Sequence, residues 1–331
     1  MRASMRWFVA LGLFLFALPN LGAARSAAPS PPARPTGSVF LRDWAEKHGF
    51  KMNFDARDLS ISVTNRWADL SLTNDSRRAM INGINVWLSF PIAVYNGHLI
   101  INKKDLDTLI EPALFPKRLE KDRRVRIVAI DPGHGGKDPG FQIGNHQEKK
   151  YTLLLAKEVQ DQLADAGLKS FLTRRSDTTV DRPDRAAKAR DAKADIFVSL
   201  HYNAAPDASS RGIETYCVTP FGAEATNGSE LTLRSYPGNR YDAQSVLLAY
   251  EVQRSIVHSL DVTDRGVRRA GFEVLRKAPM PGILVEGGFM SNSLDAKKIF
   301  DDEHRRELAR AIVDGILAYK RTMERTTPAK P

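Results

Sequence analysis

Hydrophobic and polar positions change rhythm twice along this chain. An unbroken apolar run at 7–18 comes first, then short alternating segments to about residue 110, then strand-like and helix-like segments in turn from 125 onward. In the middle part, Val39, Trp44 and Ala45 predict one short helix, and Ser60-Ile61-Ser62-Val63 alternates as a strand does. Asn82-Gly83 and Asn96-Gly97 predict hairpin turns, because both residues tolerate positive φ. The third part opens on the β-branched run 125–130. A helix is expected over 151–166, with Leu155, Val159 and Leu163 spaced four apart and Gly167 closing it, then a strand over 168–173. An Ala-rich helix over 181–193, strands at 195–200 and 212–218, a helix over 244–260, a buried strand at 282–285 and a long closing helix over 303–323 follow. That order predicts an α/β fold, a mostly parallel sheet with helices on both faces, preceded by a small α+β domain.

These boundaries give segments 1–24, 25–37, 38–112, 113–124, 125–323 and 324–331. The first carries Arg2 and Arg6, the apolar run, then Pro19 and Gly22-Ala23-Ala24, the order of a cleavable secretory signal. Twelve apolar residues fall short of the roughly 20 that span a bilayer, so a membrane anchor is the weaker reading and no span is expected after cleavage. Residues 25–37 are a Pro-rich linker, 113–124 a basic solvated connector and 324–331 a flexible tail. The protein is expected to be exported to the periplasm or cell envelope, with full secretion as second choice.

Composition narrows the chemistry. The chain has 331 residues, 42% hydrophobic and 27% charged, a globular balance that excludes wholesale disorder. Cys217 is the sole cysteine, which excludes an internal disulfide and a Cys-rich zinc site; on a period-two strand it reads as packed. A formal charge of +10 draws the chain to polyanions, and export argues for anionic wall polymer and against nucleic acid.

His134 follows the first strand of the third part, His201 follows another, and Glu286 follows the strand at 282–285. In an open parallel sheet these ends share one rim. Glu148, just before the helix expected over 151–166, joins them. Two imidazoles and two carboxylates are the parts of a hydrolytic metal site, although satisfied polar residues remain an alternative at this point. The glycines around His134 do not form a phosphate loop, since Lys137 is followed by Asp138. His48 and His98 stand alone, and His146 reads as a solvent-facing loop residue.

Taken together, IVAIDPGHGGKDPG, Glu148, SLHYNA (199–204), GIETY from 212, DRGVRRAGFEVLR from 264 and PGILVEGGFMSN from 281 resemble the zinc-dependent N-acetylmuramoyl-L-alanine amidases of type 3 over about 125–320. The resemblance implies one zinc per chain on His134, Glu148 and His201, with Glu286 as catalytic glutamate and Asn203 at the substrate. It implies hydrolysis of the amide between the muramic lactyl group and L-alanine of peptidoglycan, by a monomer that a protein activator could regulate. A catalytically inactive wall-binding module or scaffold is the alternative. LRDWA and NGINVWLSFPIAVYNGHLIIN resemble the copper amine oxidase N-terminal-like (stalk) domain. Cell-division members of the amidase family carry an inhibitory helix where this chain has 220–243. Its glycines and prolines favour instead a mobile loop bordering the cleft over a plug through Glu224 or Glu230.

Overall fold

The structure, a computed structural model, describes residues 34–325 except 56, 58, 117–123 and 229–230. The signal segment, most of the Pro-rich linker and connector, and the tail beyond 325 lie outside the described residues. The described residues from 35 onward form one compact unit.

The N-terminal part runs β1 (Ser38–Phe40), α1 (Leu41–Lys47), β2 (Lys51–Asp55), β3 (Ser60–Thr64), β4 (Asp69–Thr73), β5 (Arg78–Ile81), β6 (Ile84–Trp87), β7 (Ala93–Tyr95) and β8 (His98–Asn102). Strands β2 to β6 form an antiparallel meander, and β1, β8 and β7 a separate small sheet. Both Asn-Gly pairs are turns, with Asn82 at φ 48° and Gly83 at 83°, and Asn96 at 48° and Gly97 at 77°. A helical stretch follows: α2 (Lys103–Asp105), a π-helical turn (Leu106–Ile110) and α3 (Glu111–Leu114).

The C-terminal part comprises β9 (Ile127–Pro132), β10 (Gln142–Ile143), β11 (His146–Gln147), α4 (Glu148–Asp165), β12 (Lys169–Leu172), α5 (Arg182–Asp191), β13 (Ile196–Asn203) and β14 (Ile213–Val218). It continues through α6 (Asp242–Ser259), β15 (Asp264–Ala270), α7 (Glu273–Lys277), β16 (Gly282–Phe289), α8 (Ser293–Phe300) and α9 (Asp302–Arg325). The large sheet has the order β12-β9-β13-β16-β14-β15-β6-β5-β4-β3-β2. It is α/β but mixed, where a mostly parallel sheet was expected: β14 lies antiparallel to β16, and the meander β6 to β2 adds antiparallel pairs. The N-terminal strands join this sheet through a single parallel contact, Val86 with Val267.

Strand periodicity assigns the two faces. Ile196, Val198, Leu200 and Tyr202 of β13 belong to a core shared with Leu155 and Val159 of α4, Val252 of α6 and Ile312 of α9. Phe197 points the other way, to a smaller core with Ala186 of α5 and Leu275 of α7. By the same alternation His201, Glu286 and Glu214 all face the side covered by α5 and α7. Cys217 is buried in the larger core, and burial pushes its thiol up to about 11, the state of a packed residue. Among the described residues, no helix is long and apolar enough to cross a membrane.

Candidate metal centre

Three side chains converge at the carboxyl ends of β9 and β13. Single donor atoms of His134, Glu148 and His201 lie within 4.8 Å of one another. Glu148 Oε1 is 3.0 Å from His134 Nε2 and 3.1 Å from His201 Nδ1. Atoms bound at about 2.0–2.2 Å in a tetrahedron stand slightly more than 3 Å apart, so this set has the spacing and the N/O donors that zinc takes.

Two of the three side chains, His134 and Glu148, are held from behind. His134 adopts φ 58°, uncommon for a side chain with a Cβ. The strained loop is clamped: Arg174 Nη2 donates to Gly133 O at 2.7 Å, and Arg185 Nη2 to His134 O at 2.8 Å. Arg185 Nη1 also binds buried Asp131 at 2.9 Å, whose other oxygen accepts from Ser199 at 2.8 Å. Asp138 Oδ2 sits 2.9 Å from His134 Nδ1; a proton there leaves Nε2 as the free donor atom, the carboxylate–imidazole arrangement common behind zinc. Glu148 opens α4, where the helix N-terminus favours an anion, and accepts Phe141 N at 3.0 Å and Tyr202 N at 3.2 Å. Burial alone would raise its pKa, but bonds from His134 and His201 outweigh that and hold it well below the usual carboxylate range.

Glu286 is the neighbour of His201 in the parallel β13–β16 register. Both residues lie inside strands that run on beyond them, not after the strand ends. Half-buried, Glu286 has no hydrogen-bond partner at Oε2, and burial, then Glu148 and Glu214, raise its pKa well above the ordinary value. It lines, with His134 and His201, a cleft of about 460 Å³ whose walls include Thr179 to Arg182 and Phe272 to Val274.

Other expected residues sit elsewhere. Asn203 does not line this cleft: its Nδ2 donates to Glu214 Oε1 at 2.7 Å. His146 is half-buried and not solvent-facing, because its ring stacks on Phe300 at 3.8 Å and its Nδ1 meets the Tyr151 hydroxyl. No described residue of 220–243 lines the cleft either. The described part of that segment bridges Glu224 to Leu231 and ends in a 3-10 helix (Pro237–Tyr241), with Arg77 Nη2 donating to Ala225 O at 2.8 Å and Glu224 3.7 Å from Arg77; Glu230, the other residue considered for a plug, lies outside the described residues. Asp138, Arg174 and Arg185 escaped the sequence reading; only the i, i+4 spacing of His134 and Asp138 hinted at one of them.

A sequence model of the N-acetylmuramoyl-L-alanine amidase family matches residues 128–318. The chain is 36% identical over 195 residues to N-acetylmuramoyl-L-alanine amidase LytC of Bacillus subtilis, covering 59% of this chain and 35% of that protein. It is 34% identical over 259 residues to N-acetylmuramoyl-L-alanine amidase AmiC of Neisseria meningitidis, covering 70% and 62%. The chain thus spans less than two thirds of the length of either relative. The crystal structure of an N-acetylmuramoyl-L-alanine amidase from Clostridium difficile superposes with a TM-score of 0.51 at 34% identity, over 59% of this chain and 97% of that one. The matched stretch contains His134, Glu148, His201 and Glu286, and the chain belongs to the N-acetylmuramoyl-L-alanine amidase family.

Proposed function

We propose that the protein is a zinc-dependent peptidoglycan amidase of the cell envelope, hydrolysing the bond between the lactyl carbonyl of N-acetylmuramic acid and the L-alanine of the stem peptide. The observation that carries this reading is the convergence of His134, Glu148 and His201 beside an unpartnered Glu286 on an open cleft. A zinc ion on the three ligands supplies Lewis acidity, lowering the pKa of water and polarising a carbonyl.

The protein's own groups do the rest. Glu286 takes a proton from the attacking water as oxygen bonds to the carbonyl carbon. It returns that proton to the alanine nitrogen as the C–N bond breaks, leaving a free lactyl carboxylate and a peptide amine. Asp138 holds the His134 ring, and the Phe141 and Tyr202 amides hold the Glu148 carboxylate. Export and release of the leader at 1–24, monomeric state and regulation by an activator protein belong to the same proposal.

Purified peptidoglycan incubated with the full chain tests it. Mass spectrometry should find peptide-free glycan and stem peptides with a new N-terminal alanine, lost on chelation. Binding of the wall without any peptide release would favour the inactive-module reading.

A further inference from the structure

Glu286 has a carboxylate neighbour that hydrolysis does not require. Glu214 stands opposite it in the antiparallel β14–β16 pair, and opposed side chains share a face about 5 Å apart. Glu214 is 1% exposed. Its Oε2 accepts from Arg265 Nε at 2.9 Å and Arg268 Nη1 at 2.8 Å; its Oε1 accepts from Asn203 Nδ2 at 2.7 Å and the Tyr216 hydroxyl at 2.8 Å. Two adjacent carboxylates repel, and a buried anion needs partners. The two guanidiniums supply the charge, and four donors fix both oxygens. Through Asn203 the same carboxylate ties the end of β13, two residues beyond His201.

The arginines are seated by the N-terminal part of the chain. The Trp87 indole N–H donates to Arg265 O at 2.9 Å, and its ring lies 4.8 Å from the Arg268 guanidinium carbon, a cation–π contact. Next to them, the Asp264 carboxylate accepts from Asn85 N at 2.8 Å. Gly266, at φ 88°, passes so close that a Cβ would stand 2.5 Å from Asn85 O. Trp87, Arg268 and Glu214 are absent from the cleft walls.

We infer that Trp87 is a positioning residue for the hydrolytic site: the N-terminal segment, through Trp87, Arg268 and Glu214, fixes the placement of Glu286. This rests on the reading of Glu286 as the catalytic base. Without the indole, Arg268 keeps the more distant Tyr216 ring, 5.9 Å away, and Arg265 loses its carbonyl anchor. The hold of the two guanidiniums on Glu214 then loosens, the carboxylate shifts beside Glu286, and a displacement of the base on the scale of an ångström is costly to turnover. Because none of the three residues reaches the cleft, the loss falls on kcat.

The test uses the full chain, a soluble muropeptide, steady-state kinetics and zinc content. Trp87→Ala should lower kcat about 10-fold or more, with KM within about twofold and zinc at the wild-type level. Trp87→Phe, which keeps a ring beneath Arg268, should recover most of that loss. Arg268→Lys, which keeps the charge but not the fork, should lower kcat by a similar factor with unchanged thermal stability, and serves if Trp87→Ala does not fold. Wild-type kcat in Trp87→Ala or Arg268→Lys, a change confined to KM, or a loss that tracks zinc content overturns the inference while amidase activity stands. An inactive wild-type chain overturns both.

Discussion

Gly133 and Gly140 leave His134, Glu148 and His201 no spare room. A Cβ on Gly133 would stand 2.3 Å from His201 Cε1, and one on Gly140 2.5 Å from Glu148 Oε2 and 2.8 Å from His134 Cδ2. Gly140 also needs φ 66°, which a side chain resists. Gly140→Ala is therefore expected to push two ligands apart, weakening zinc affinity at least about 10-fold, measured by competition with a chelator of known affinity. Unchanged affinity would mean that the loop gives way without moving Glu148. At this scale His134, His201 and Glu286 were legible because each sits in a motif near the end of an apolar strand run, and Glu148 because it stands just before a helix on the same rim. Asp138, Arg174 and Arg185 were not, because a buried arginine that clamps carbonyl oxygens has the same sequence signature as a solvated one.

Among the elements, β15 was the one hidden by its own composition. Asp264-Arg-Gly-Val-Arg-Arg-Ala offers no apolar alternation, yet it lies inside the sheet. Arg268 is neutralised by Glu214 on one face, and buried Arg269 donates to Thr108 O at 2.7 Å on the other. The helix expected over 151–166 announced itself by four-residue spacing, the short α7 and α8 had no such signal, and α6 differed from expectation by starting two residues earlier, at Asp242. That carboxylate carries a testable cost. Burial, only partly offset by Arg269 and the Asn239 amide, raises its pKa from 3.8 to about 6. The folded form thus binds the proton more tightly than the unfolded chain. Its stabilising protonation is complete below about pH 4 and lost as pH rises through 6, a change on the order of 2 kcal/mol. Asp242→Asn, which keeps the acceptor for Asn239, should remove that part of the decline between pH 4 and 6 and raise stability at pH 7 in urea denaturation. Parallel curves for variant and wild type would contradict the assignment.

For the whole molecule, the join between the two halves was invisible in the sequence. Two apolar patterns of different period read as separate folded units, whereas Val86 pairs with Val267 and one core runs from Leu41 to Met323. Such pairing depends on which edges meet in space, and strand periodicity carries no record of it. The antiparallel placement of β14 against β16 was hidden for the same reason, although it brings Glu214 beside Glu286.

In the proposed mechanism three residues hold one zinc ion while a fourth moves the proton. Zinc stoichiometry of purified wild-type, Glu148→Ala and Glu286→Gln chains, measured with peptide release from peptidoglycan on the same preparations, decides it. One zinc per chain and release are expected for the wild type, and neither for Glu148→Ala. For Glu286→Gln, one zinc is expected with release lowered about 100-fold or more. Full zinc and full release in Glu148→Ala, or wild-type release in Glu286→Gln, would contradict it.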